Sequence, residues 1–206
     1  MRANTLAGLK SLETFANEEA YAFFDTALKA SEEQLKKVDL QLLNSMAISC
    51  VNTGRVTEAI SYFEKALLVC DAPLARAQIR TRITRIHIAT IQGKKAREES
   101  DRAFAELGVA GPGPGFKQWM LTLRDLAVGY WMDKYNRGYG KITNPTQRTR
   151  IEILTQLYDS SNTVNFLEFN LLVTFQCLFR PWRMAFSLGP SKELVFFYSS
   201  FSLALA

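Results

Sequence analysis

Apolar residues fall at helical spacing along most of this chain. Ala20, Phe24 and Ala27 follow one another by four and three positions, and Ala59, Phe63 and Ala66 repeat that spacing 39 residues later. Such steps place side chains on one stripe of an α-helix. Alanines on the stripe let a neighbouring helix approach closely, while phenylalanine fills the gap between them. Asp25 recurs as Glu64, and Gly54 and Gly93, read as turn glycines, also stand 39 apart. A period of this length is that of a helical hairpin.

The pattern predicts helices over residues 17–30, 38–51, 56–69, 74–91 and 96–107. Asp71-Ala72-Pro73 marks a stop and restart, because proline is tolerated in the first turn of a helix. Ile79, Ile83 and Ile86 share one face of the fourth of these helices. Gly108 closes the fifth as a C-terminal signal. Ala103 follows Ala66 by 37, so the intervening loop is two residues shorter.

GVAGPGPG at 108–115 interrupts the helical pattern, with three glycines and two prolines in its last five positions. Beyond it helices are expected over 116–135, with Trp119, Leu123, Leu126 and Tyr130 as its apolar core stripe, and over 148–158 and 162–179. Pro181 and Gly189-Pro190 punctuate the end of the last of these, and Ser191 reads as the N-cap of a final helix with Glu193 in its first turn. No β-hairpin signal appears. The expectation is an all-α, tetratricopeptide-like α-solenoid of antiparallel helix hairpins. Repeats fill 1–110, a Gly/Pro linker turn occupies 111–115, and a less regular helical array continues over 116–206.

Charge adds an asymmetry. Residues 1–70 carry 7 basic and 9 acidic side chains and the remainder 18 and 11, for a net charge of +5. Between Leu74 and Arg97 there are seven basic residues and no acid. Arg76, Arg80, Arg82 and Arg85 are the candidate contacts to an acidic protein surface. They spread around the helix instead of forming one track and no nucleic-acid-binding signature accompanies them, so a basic nucleic-acid-binding helical protein is a third reading that rests on charge alone.

Three cysteines, Cys50, Cys70 and Cys177, are widely spaced. Neither a disulfide frame nor a zinc site is signalled, and a cytoplasmic location is expected. No export signal or stretch suited to a membrane span stands out.

Candidate chemistry is sparse. The single histidine, His87, sits beside the isoleucine stripe and reads as a buried helix residue. Gly93-Lys94-Lys95 lacks the earlier glycine and the Ser/Thr of a phosphate-binding loop. GPGPG loses backbone donors to its prolines. Glu18/Glu19, Glu32/Glu33 and Glu98/Glu99 are sequence neighbours and diverge by about 100° on a helix. No catalytic, cofactor-binding or metal-ligating residue is singled out and no cofactor is expected. An alternative reading has Trp119, Trp131, Tyr135 and Trp182 lining a ligand pocket in a free-standing helical domain or enzyme.

AGLKSLETFANEEAYAFFDTALK at 7–29, AFAELGV at 103–109 and FRPWRMAFSLGPSKELVFFYSSFSLALA at 179–206 resemble the tetratricopeptide-like helical region of soluble adenylyl cyclase-like proteins and related large signalling ATPases. At the family's Gly-x-Ser-type turn, Pro190 stands here between Gly189 and Ser191. The resemblance implies a regulatory interaction scaffold whose partner is another protein or a neighbouring ATPase or cyclase domain. It transfers no nucleotide-binding or catalytic residue to this chain. The apolar end at Ala206 is expected to belong to a fragment of a longer protein, or to need a covering partner.

Overall fold

The computed structural model describes residues 2–33 and 39–205, with side chains over 3–31 and 39–199. The expected helix start at Val38, the side chains of Glu32 and Glu33 and the chain end at Ala206 lie outside the described residues. Within them the fold is all-α, with no strand. The helices are α1 (Arg2–Glu13), α2 (Asn17–Glu33), α3 (Leu40–Asn52), α4 (Val56–Val69), α5 (Pro73–Ala89), α6 (Gly93–Glu106), α7 (Phe116–Lys134), α8 (Pro145–Leu167), α9 (Leu171–Leu188) and α10 (Lys192–Leu205). They form two compact units, Met1–Ile86 and His87–Ala206.

In the first unit α1 packs on α2, α2 on α3 and α3 on α4. The two Ala-x3-Phe-x2-Ala stripes are buried, and Phe24 and Phe63 enter one core with Met46, Leu42, Ile79 and Ile83. Burying a phenylalanine side chain contributes roughly 2–3 kcal/mol, so each ring is a main anchor of its helix. Gly8 on α1 lies against the face of Phe24, with no room for a side chain between them. A polar seam continues this contact across helices. Ser49 Oγ donates to the Asn17 carbonyl at 3.0 Å, and Arg55 pairs with Glu18 at 3.0 Å while its guanidinium lies 3.7 Å over the Tyr21 ring.

The turns follow a different register from the one expected. Gly54 does adopt a left-handed φ of 76°, but Gly93 is the first residue of α6 and has no positive φ. The residues equivalent to Gly54 are Phe15 (φ 60°) and Ile91 (φ 59°). At all three, the following N–H bonds back to the carbonyl five residues before it: Ala16 to Ser11, Arg55 to Cys50 and Gln92 to His87. This bond closes a helix end and holds the residue just before its donor in the left-handed region. Large side chains are accepted there because Phe15 and Ile91 point into solvent.

In the second unit α6 packs on α8, α8 on α9, and α10 on both α9 and α8. Helix α7, between α6 and α8 in sequence, packs on α9 instead. The stripe of α6 is Ala96, Ser100 and Ala103, each 37 residues after Ala59, Phe63 and Ala66. Ser100 replaces the phenylalanine and shares a 2.9 Å hydrogen bond with Ser161 of α8.

The expected break between residues 158 and 162 does not occur. Helix α8 runs through Asp159-Ser160-Ser161-Asn162, and polar side chains there bond back within the helix: Ser160 Oγ donates to the Gln156 carbonyl and Asn165 Nδ2 to that of Ser161. The chain turns instead at Glu168–Asn170, with Phe169 left-handed at φ 55°. Pro181 does not end α9 either. It is buried inside the helix, which continues to Leu188 despite the lost hydrogen bond. Ser191 does cap α10, accepting from the Leu194 N–H at 3.3 Å.

Helix α7 is inverted relative to expectation. Trp119, Leu123, Leu126 and Tyr130 are exposed, as are Phe116, Met120, Trp131 and Tyr135. The residues turned inward are Gln118, Leu121, Thr122, Asp125, Gly129 and Met132, and only Asp125 and Gly129 are fully buried. Gly129 is required at the crossing with α9, since a Cβ there would stand 2.7 Å from Cζ3 of Trp182.

Candidate functional site

The four arginines proposed from sequence do not converge. Arg76 donates Nη1 to the carbonyls of Leu67 and Cys70 at 2.8 and 3.0 Å, so it caps the C-terminus of α4. Arg80 and Arg82 are half-buried and Arg85 is exposed. Burial, with the Arg85 charge, pulls the Arg82 pKa down. His87 is buried on α5, and no group of three potential metal ligands occurs among the described residues.

The four aromatic residues offered as a pocket also separate. Trp182 is buried in a cluster with Ala185, Phe186, Leu194 and Phe197, whereas Trp119, Trp131 and Tyr135 face solvent.

What the second unit does assemble is a cluster of arginines around one carboxylate. Asp125 is the charged residue on the inward stripe of α7, and its side chain is 1% exposed. Arg180 and Arg183, one turn apart on α9, meet it with Nε at 3.1 Å from Oδ2 and 3.1 Å from Oδ1 respectively. The Arg183 contact is an ion pair whose angle falls outside that of a hydrogen bond. Arg124 adds Nη2 at 3.0 Å from Oδ1. Arg180 also donates Nη1 to the Tyr158 hydroxyl at 3.1 Å. Burial pushes the Tyr158 phenol up, against the pull of Arg180. Burial acts to lower the Arg180 pKa, but Tyr158 and Asp125 hold it above its ordinary value.

These residues open on a cavity of about 480 Å³. Arg124, Arg180, Arg183 and Lys117 supply its charge, and Leu121, Leu154, Tyr158 and Met184 supply apolar wall. The loop at Gly108–Ala110 also borders it. That loop is held from behind by Gln176, which donates to the Gly113 carbonyl at 2.9 Å and accepts from the Gly113 N–H at 3.1 Å. The cluster escaped the sequence reading because Arg180 lies 55 residues from Asp125, with Arg183 three further on. The available signal was a lone aspartate opposite the aromatic stripe of 116–135, together with two arginines three apart in the apolar run FRPWRM.

No family model matches the chain, and no curated protein or solved structure matches it. Among the described residues no helix is long and apolar enough to cross a membrane.

Proposed function

We propose that this chain is a non-catalytic helical scaffold that binds a protein partner through the solvent face of α7. The observation that carries this reading is the inversion of that helix. Phe116, Trp119, Met120, Leu123, Tyr130 and Trp131 are all exposed, while its inward stripe holds Leu121 and Met132 as its large apolar members beside Gln118, Thr122, Asp125 and Gly129. Large contiguous apolar surface is costly in water and marks interaction sites, where aromatic and methionine side chains are enriched. The first unit, in this reading, is a tetratricopeptide-like stack of antiparallel hairpins. Its support is the pair of equivalent buried stripes around Phe24 and Phe63 and the left-handed closure shared by Phe15 and Gly54. The sequence resemblance points to regulation of an ATPase or cyclase module in the cytoplasm as the setting.

The reading is tested by affinity capture with the intact chain and with a Trp119→Glu/Trp131→Glu variant whose helicity is verified by circular dichroism. The wild type retains a reproducible partner that the variant loses, and Arg85→Glu leaves it in place. Equal capture by the wild type and the tryptophan variant contradicts the assignment.

A further inference from the structure

We propose that the cavity among α7, α8 and α9 binds a small organic phosphate. Its phosphate sits among Lys117, Arg124, Arg180 and Arg183, and its organic part rests on Leu121, Leu154 and Met184.

The first argument is charge. Four cations border the cavity, and the only carboxylate within 4 Å of the three arginines among the described residues is Asp125. A buried aspartate is neutralised by one arginine; here three converge on it, and Arg180 retains only 19% of its side-chain exposure. Gathering four cations about one carboxylate leaves a positive potential short of counter-charge. An anion in the cavity supplies that counter-charge. Lys117 makes no ion pair with any described carboxylate and adds to the same potential.

The second argument is donor geometry. Asp125 takes Nε of Arg180 and Nε of Arg183, which orients both guanidinium groups from behind. Beyond those contacts, the described residues engage only Arg180 Nη1, at Tyr158, and Arg124 Nη2, at Asp125. A guanidinium carries five N–H donors, so most of the donors in the cluster remain available for an incoming group. Arginine forks held in place match the several acceptor oxygens of a phosphate. Asp125 is thus a positioning residue. Its own charge opposes the ligand but is outnumbered.

The third argument is size and lining. A cavity of about 480 Å³ falls within the range that accepts small ligands. Leu154 and Tyr158 are buried and Met184 is half-buried, so one wall is apolar and favours an organic group over a bare ion. Nucleic acid fits less well, because it is tracked by an exposed line of charges and here they converge on one buried centre.

Isothermal titration of the full chain with phenyl phosphate, in phosphate-free buffer at low salt, tests the proposal. Saturable binding with Kd below about 1 mM is expected. Lys117→Gln and Arg124→Gln, both at exposed positions, each weaken it about tenfold while circular dichroism stays unchanged. Inorganic phosphate binds at least about fivefold more weakly than phenyl phosphate, because it leaves the apolar wall unused. Absence of saturable binding, equal binding by both variants and wild type, or equal affinity for the two phosphates overturns the proposal. Trp119→Glu/Trp131→Glu retains phosphate binding, so this site and the α7 docking face fail or stand separately.

Discussion

Gly8 of α1 and Phe24 of α2 are in direct contact, such that a Cβ built on Gly8 would stand 2.5 Å from Cε1 of the ring. Glycine inside a helix is ordinarily worse than alanine by roughly 0.5–1 kcal/mol. Here the ring is fully buried and has no space to retreat. Overpacking of this kind costs about 1–3 kcal/mol and exceeds the propensity gain. Gly8→Ala is therefore expected to destabilise the chain in urea denaturation, and a rise in midpoint would show that α1 does not close on Phe24.

The left-handed residues give the opposite sign. Ile91 is β-branched, has φ 59° and is 89% exposed, so its side chain contributes strain and almost no packing. The left-handed region costs a non-glycine residue roughly 1–2 kcal/mol, and glycine returns part of that gain as unfolded-state entropy, about 0.4–1 kcal/mol. Ile91→Gly, and likewise Phe169→Gly at φ 55°, should each raise the melting temperature by a few degrees. Unchanged or lower melting would mean that these side chains hold contacts worth more than the strain.

Asp125→Asn removes the charge that three arginines share. Loss of one partner from a buried ion cluster typically costs about 3–5 kcal/mol because the remaining charges stay behind. The remaining repulsion is among cations that are partly exposed, so it is screened by salt. The stability deficit of the variant should narrow between low and high sodium chloride. A deficit independent of salt would assign the loss to packing alone.

Burial, the Glu58 charge and a smaller opposing pull from Arg55 place the Cys50 thiol at about 11, above its ordinary 9.0. Burial raises Cys177 as well. Both are neutral in the folded chain and ionise more readily once unfolded. Their contribution is complete below pH 9, and that of Cys50 is lost as pH rises toward 11. Stability in urea should fall over that window, and Cys50→Ala should make the fall shallower. A flat profile between pH 8 and 11 would contradict the burial of these thiols.

Phe24 and Phe63 were legible in the sequence because two copies of one stripe corroborate each other. The turn register was not. Gly93 attracts attention as a glycine, whereas the left-handed position is held by Ile91, a residue whose type gives no turn signal. Helix α7 shows a deeper limit. Periodicity reveals which residues share a face, but Trp119, Leu123, Leu126 and Tyr130 form the same stripe whether they meet a core or a partner. The orientation is decided by long-range terms absent from any local window: the Asp125 pairing with Arg180 and Arg183, and the close crossing of Gly129 with Trp182.

The proposed docking role of α7 is tested most directly by hydroxyl-radical footprinting of the chain alone and in complex with a partner captured as above. Protection is expected at Trp119, Met120 and Trp131 on complex formation, with Arg85 and its neighbours on α5 unchanged. Full reactivity of those three residues in the complex, with protection elsewhere, would contradict the account.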